Sequence, residues 1–254
     1  MTSKVIIVVL ILTLLGLTQS CNLSASLPTV TTPIIERGSG NMISEERNIS
    51  EFSTLSISGG GEVKLVQEDE YKLVIEAEDN ILPHITSEMD GEHLTIGYDE
   101  TLWKDRFLPT KKITYTLTFP SLKGITLQGG AKIEGNDLDL PELTLDINGG
   151  ANINLNRFKT DALTVQLDGG ANISINGEAT SQSVIINGAS KYKAENLRTS
   201  ETNIEINGAA NAKVWAIDTL NVRLNGVGSI SYYGNPTITK DIQGLGTVTS
   251  LGEK

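Results

Sequence analysis

The chain has one cysteine, Cys21, in 254 residues, so no internal disulfide contributes to its stability. It has two histidines, His84 and His93, and neither has a partner at ligand spacing, which removes the usual basis for a zinc site; no metal is expected. Aromatic residues make up 5 % of the sequence. Basic residues are also scarce, 20 Lys and Arg against 31 Asp and Glu, and the net charge of −11 lacks the basic footprint of a nucleic-acid binder. No nucleophile elbow, phosphate loop or dinucleotide fingerprint occurs, so no cofactor is implied. Helical periodicity is missing throughout the region beyond residue 46, and the one long apolar run lies at the N-terminus.

What is present is a repeat. Ile147-Asn148-Gly149-Gly150-Ala151-Asn152-Ile153 returns in variant form along the second half of the chain. The first glycines stand at 129, 149, 169, 188, 208, 226 and 244, giving steps of 20, 20, 19, 20, 18 and 18. Fixed-period similarity marks a stacked architecture. Let the residue before each of these glycines be position 0. Position −1 is always aliphatic and position −3 is aliphatic in all but the last repeat, where Lys240 stands. Polar residues mostly separate them, so the pattern has period two and reads as a strand with one buried face. Beyond the glycine, small residues at +3 and mostly apolar ones at +5 continue the inward row, so a corner is expected at each glycine. A unit this short cannot bury its apolar row alone, and stacking is what buries it. The expected fold is all-β, a single-stranded parallel solenoid with coils of 18–20 residues. Coils spaced ~4.8 Å apart would make a column of about 34 Å. An antiparallel sandwich would favour two-residue hairpins, and a propeller blade needs about 40 residues.

The N-terminus reads as a targeting segment. Lys4 precedes an apolar run from Val5 to Leu17, interrupted only by Thr13 and Gly16 and too short to cross a bilayer comfortably. Leu17-Thr18-Gln19-Ser20-Cys21 resembles a bacterial lipoprotein signal. That resemblance implies a signal peptide over residues 1–20 and lipid on Cys21, with the membrane as a partner and the protein exported to the cell envelope, facing outward. Thr18 departs from the usual Leu at that place, and an ordinary signal peptide before a free cysteine is the competing reading. Residues 21–45 are rich in Ser, Thr, Pro and Gly and read as a flexible linker. The β domain then occupies 46–254, with irregular coils over 46–120 and regular repeats over 121–250. Gly59 looks like the first corner glycine. It stands 70 residues before Gly129, so the first coils must be longer or decorated, with residues 100–110 the expected inserted loop.

Two outward columns carry the candidate sites. Position 0 holds Asn148, Asp168, Asn187, Asn207 and Asn225, read as a structural ladder of side-chain hydrogen bonds between coils. Position +4 holds Asn152, Asn172 and Asn211 with Lys132 and Lys191, a polar face suited to a glycan or a surface-protein ligand. Position −2 places Asp146, Glu205, Arg223 and Asp241 on another column. Asp146 and Glu205 are about 14 Å apart, too far to act as a carboxylate pair, and Glu205 with Arg223 reads as an ion pair. No catalytic residues are therefore assigned. The Gly-Gly-Ala-Asn motif lacks the acidic nonapeptide spacing of calcium-binding rolls.

The Ile-Asn-Gly repeats, the opening Arg47-Asn48-Ile49-Ser50-Glu51-Phe52-Ser53-Thr54-Leu55-Ser56-Ile57 and Asp90-Gly91-Glu92-His93-Leu94-Thr95-Ile96 are similar to the family described as putative auto-transporter adhesin, head GIN domain. The likeness spans about residues 46 to 250 and implies a right-handed parallel β-helix, export to the cell surface or envelope and often a lipid anchor, with no established activity. Three functions follow as expectations. The first is a non-enzymatic lipid-anchored adhesin, the second a polysaccharide lyase or hydrolase on the same scaffold, and the third an envelope accessory module that contacts other proteins.

Overall fold

The computed structural model describes residues 35–99 and 107–254. The signal segment, Cys21 and Trp103 lie outside the described residues. In chain order the strands are β1 Glu36–Arg37, β2 Met42–Arg47, β3 Thr54–Ser58, β4 Gly61–Gln67, β5 Lys72–Glu78, β6 Ile85–Asp90, β7 His93–Tyr98, β8 Phe107–Leu108 and β9 Thr114–Phe119. There follow β10 Gly124–Asn136, β11 Asp139–Leu167, β12 Gly170–Ile186, β13 Lys191–Ile206, β14 Ala209–Leu224, β15 Val227–Tyr233, β16 Thr237–Ile242 and β17 Leu245–Ser250. From β10 onward every pairing is parallel and joins a residue to its counterpart one coil later. The product is a parallel β-solenoid of about six turns.

Burial shows why one coil closes on itself. Leu143, Leu145 and Ile147 face inward, then Ala151, Ile153 and Leu155, then Phe158 and Leu163. The alternation breaks at 148–150, 156–157 and 161–162, where consecutive residues point away from the core. These breaks are three corners, and they divide each coil into three faces. Strict alternation would place the corner glycine inside. Gly149 is instead half-buried between exposed Asn148 and Gly150.

The glycine is required by its neighbour in the stack. A Cβ on Gly169 would lie 2.1 Å from the carbonyl oxygen of Gly149, and one on Gly188 would lie 2.0 Å from that of Gly169. The same collision recurs for Gly208, Gly226 and Gly244 against the glycine beneath. A hydrogen-sized side chain thus lets successive backbones touch at this corner. The second glycine is different, because a Cβ on Gly150 would meet Gly170 O at an ordinary 3.8 Å.

Coil length varies elsewhere. Asn156 and Arg157 stand opposite Asn176 alone, which accounts for the 19-residue step after Gly169. Glu195, Asn196 and Leu197 have no counterpart in the next coil, while Ile217 and Asp218 face only Ser200, so that coil is two residues shorter. Both adjustments fall at the second and third corners, leaving the glycine corner and its flanking faces in unbroken register.

The N-terminal stack does not follow chain order. β3 and β4 pair with β10 on one side and with β7 and β9 on the other. The 70-residue gap between Gly59 and Gly129 is therefore a single step, and a Cβ on Gly129 would lie 2.8 Å from Gly59 O. The chain leaves after the first coil, builds the coil beneath it and returns above it. Antiparallel β5, β2 and β6 then finish the lower end.

Two expectations need correction here. Residues 36–45 are not a free tether. β1 pairs with β8, and Met42–Arg47 pair with β5 although most of their side chains are exposed. Backbone pairing to an open edge needs no buried face, so apolar content failed as a guide. Buried Glu78 reinforces the junction by accepting bonds from Gly40 N (2.8 Å), Thr110 N (2.8 Å), Lys111 N (3.2 Å) and the Thr110 hydroxyl. Burial raises its pKa, but these donors outweigh burial and hold it below the ordinary value. Second, residues 107–110 of the expected loop belong to this junction, while 100–106 lie outside the described residues.

The glycine contact predicts a sharp asymmetry. Gly188→Ala should destabilise by about 3 kcal/mol through overpacking against backbone. Gly150→Ala, at a place where later coils carry Ala189 and Ala209, should change stability by less than about 1 kcal/mol. Denaturant unfolding of the two variants checks this, and equal effects would refute the stacking account.

Candidate functional site

The two predicted columns differ in how the structure uses them. At position 0, Asn225 Nδ2 donates to Asn207 Oδ1 (2.8 Å), Asn207 Nδ2 to Asn187 Oδ1 (3.0 Å) and Asn187 Nδ2 to Asp168 Oδ1 (2.5 Å). The series ends on a carboxylate, whose pKa is lowered by the Asn187 amide and then by Gln166. Asn148 does not join: its amide donates to Asp146 of the same coil (3.0 Å). The Asp168 carboxylate has no proton to donate further down, so the downward series ends on it. Two further ladders lie outside the predicted columns. Asn136, Asn156 and Asn176 bond in series at the second corner, and Asn221 bonds to Asn203. The exact 20-residue spacing of the first set was a visible signal.

At position +4 the order up the stack is Lys132, Asn152, Asn172, Lys191, Asn211, Ser229 and Thr247, each in register with the next where pairing joins their coils. Lys132 through Asn211 are exposed. Asn152, Asn172 and Lys191 make no side-chain hydrogen bond or ion pair among the described residues. Asn211 accepts one bond, from the Ser229 hydroxyl (2.7 Å). Position +6, two residues along the same face, adds Asn154, Ser174, Lys193, Lys213 and Ser231. A shallow depression of about 190 Å³ between these columns is lined by Lys132, Asn152, Asn172 and Lys193 among others.

Lys132 is the exception in the proposed binding set. Its ammonium lies 2.9 Å from buried Glu62 and 2.5 Å from Glu134, and Lys112 also contacts Glu62. The Lys112 and Lys132 hydrogen bonds outweigh desolvation and bring the Glu62 pKa from 4.5 down to about 2. Lys132 therefore neutralises a buried acid at the first corner and is not free for a ligand.

Other clusters are structural in their geometry. Arg223 bridges Glu205 (3.8 Å) and Asp241 (3.5 Å) on the −2 column. Inside the coil that carries Lys191, a buried polar network replaces the usual aliphatic packing. The Tyr192 hydroxyl donates to Gln182 Oε1 (2.8 Å), and Gln182 Nε2 donates to Thr202 (3.0 Å). The Thr199 hydroxyl donates to the Trp215 carbonyl oxygen (2.8 Å), which fixes Trp215 at the second corner.

A family model described as "Putative auto-transporter adhesin, head GIN domain" matches residues 51–236. The chain belongs to this family. Solved structures share its fold along most of its length. A putative adhesin from Bacteroides fragilis has a TM-score of 0.78 at 24 % identity, covering 85 % of this chain and 100 % of that one. A putative lipid binding protein from Parabacteroides distasonis has a TM-score of 0.69 at 21 % identity, covering 85 % and 99 %. A putative adhesin from Parabacteroides merdae has a TM-score of 0.61 at 20 % identity, covering 86 % and 99 %. At these identities the likeness is one of fold. No curated protein matches the chain.

Glu62 gives a pH prediction. Its carboxyl is depressed in the folded state, so its stabilising contribution is complete above pH 4.5 and is lost as pH falls toward 2. Glu62→Gln should lower stability at pH 7 and flatten the fall in stability between pH 4.5 and 2. Urea unfolding across that range tests it; an unchanged slope would reject the assignment.

Proposed function

We propose that this head GIN domain is a non-enzymatic, surface-displayed binding module of the adhesin type, held to the envelope by lipid on Cys21. One observation carries the reading. The position 0 amides are engaged in the fold, whereas Asn152, Asn172 and Lys191 lie in one exposed column with their donors and acceptors unspent. Fixed register turns that column into a flat array suited to a glycan or a protein surface. The adhesin names borne by the family and by solved structures of the same fold support the same direction. They also support placement at the cell surface. Support against a hydrolase or lyase comes from the −2 column, where Glu205 and Asp241 are both turned to Arg223.

The test is a glycan-array and polysaccharide-cleavage screen on the full chain, beside an Asn152→Ala, Asn172→Ala, Asn211→Ala variant. Binding without turnover is expected, with affinity reduced about tenfold or more in the variant, a loss of about 1.4 kcal/mol. Asn207→Ala, which removes two ladder bonds, should instead cost about 1–2 kcal/mol of stability and leave binding intact. Loss of binding in Asn207→Ala alone, or turnover of a polysaccharide, would overturn the reading. The anchor is tested by metabolic labelling with an alkyne fatty acid. Label and membrane association should both disappear in Cys21→Ser, and label retained in that variant would exclude Cys21 as the acceptor.

A further inference from the structure

The binding face has a sign opposite to the rest of the molecule. Over the seven repeats from Gly129 onward, positions +4 and +6 contribute four lysines and one glutamate, a formal +3 in a chain of −11, and Glu195 at +8, the column of the aromatic pair below, reduces it to +2. Lys132 and Glu134 pair with each other, so the excess is Lys191, Lys193 and Lys213. All three are exposed, and none lies within ion-pair distance of a carboxylate among the described residues. Lys193 and Lys213 are register partners on adjacent coils, ~4.8 Å apart at the backbone. Lys191 is two residues before Lys193, about 6.6 Å along the strand. Three ammonium groups held this close repel one another in the free protein, and an anion across them relieves that repulsion.

The same strands carry the triad to an aromatic pair. Trp215 follows Lys213 by two residues and is the register partner of Tyr233. The two rings share one cover, the Lys254 ammonium, which lies 5.2 Å from the Trp215 ring and 5.1 Å from the Tyr233 ring. That ammonium is also bonded to Glu195 O (2.5 Å) and to Asn196. Lys191 and Lys213 lie on one face, and Trp215 stands at the second corner that borders it, two residues beyond Lys213. Exposed cations and unspent amides beside two half-buried rings match a carbohydrate strand whose sugars carry negative charge.

We propose that this face, with Lys191, Lys193, Lys213, Trp215 and Tyr233, binds an anionic polysaccharide, the lysines taking its carboxylates or sulfates and the rings its sugar faces. The inference rests on the adhesin reading above and names its ligand class. A single-stranded nucleic acid shares the charge, but it stacks successive bases on rings spread along the strand, and the two rings of this face, Trp215 and Tyr233, are register partners at one end of it.

The experiment measures binding of the full chain to polygalacturonate, dextran sulfate, neutral dextran and a single-stranded DNA oligomer at two salt concentrations. The proteins are wild type, a Lys191→Gln, Lys193→Gln, Lys213→Gln variant, the corresponding triple Arg variant, and Trp215→Ala. Wild type should bind at least one charged polysaccharide, with affinity falling as salt rises. Which of the two binds tells carboxylate from sulfate. The Gln variant should lose about tenfold or more with its melting temperature unchanged, and the Arg variant should retain binding. Trp215→Ala should weaken binding to the polysaccharide. Equal binding by the Gln variant, or equal binding to neutral dextran, overturns the charge assignment and leaves the asparagine column as the adhesive surface. DNA binding as tight as the polysaccharide, or no effect of Trp215→Ala in a folded protein, overturns the sugar assignment. If neither charged polysaccharide binds while the glycan array finds a neutral glycan that the asparagine variant loses, the inference fails and the adhesin reading stands. Should neither experiment find any ligand, both fail together.

Discussion

The structure depends on backbone touching backbone at one corner. Each corner glycine from Gly149 upward sits where a methyl group would strike the carbonyl of the glycine beneath it. The hydrogen-bond ladder sets the spacing and register of the coils, with bonds such as Asn187 N to Leu167 O (2.8 Å), and glycine is what lets that spacing continue through this corner. Inward aliphatic residues stack directly on their counterparts because of it, and so do the outward polar ones. The columns of asparagine and lysine are consequences of that spacing.

Tolerance is distributed accordingly. One-residue and two-residue changes in coil length are absorbed at the second and third corners, around Arg157 and between Glu195 and Asp218. The glycine corner and the strands beside it absorb none. Chemically similar amides then take opposite roles according to their neighbours. At position 0, a run of Asn above Asp168 lets each amide donate downward until the carboxylate closes the series. At +4, Asn152 and Asn172 are register partners that do not bond, and Lys191 above them has no acceptor to continue a ladder.

Much of this was legible in the sequence. Period-two burial, the step lengths and the corner glycines are properties of a repeat seen once per coil, so seven copies reinforced each other. The −2 ion pair and the outward +4 column followed from the same numbering. What could not be read depended on single residues or distant partners. Glu62 claims Lys132 from 70 residues away, and nothing local announces it. Asn148 looked equivalent to Asn187, but a ladder has a direction and a carboxylate ends it. The lysine triad was only half visible, since Lys193 and Lys213 lie at +6, a column the sequence reading did not follow. The paired edge at Met42–Arg47 was hidden because its strand buries little.

The out-of-order lower coils bear on how the molecule assembles. The first coil, β3 and β4, is enclosed above and below by segments synthesised after it. Its lower neighbour requires the chain through Phe119, and its upper neighbour then closes a loop of 70 residues between Gly59 and Gly129. Every later coil closes a loop of only 18–20 residues on a surface already formed. Assembly therefore has a demanding start and an undemanding continuation, like a zipper whose slider must first be seated. A chain that emerges N-terminus first during synthesis cannot complete its foundation until about half of it is out, and from then on it can close one coil at a time.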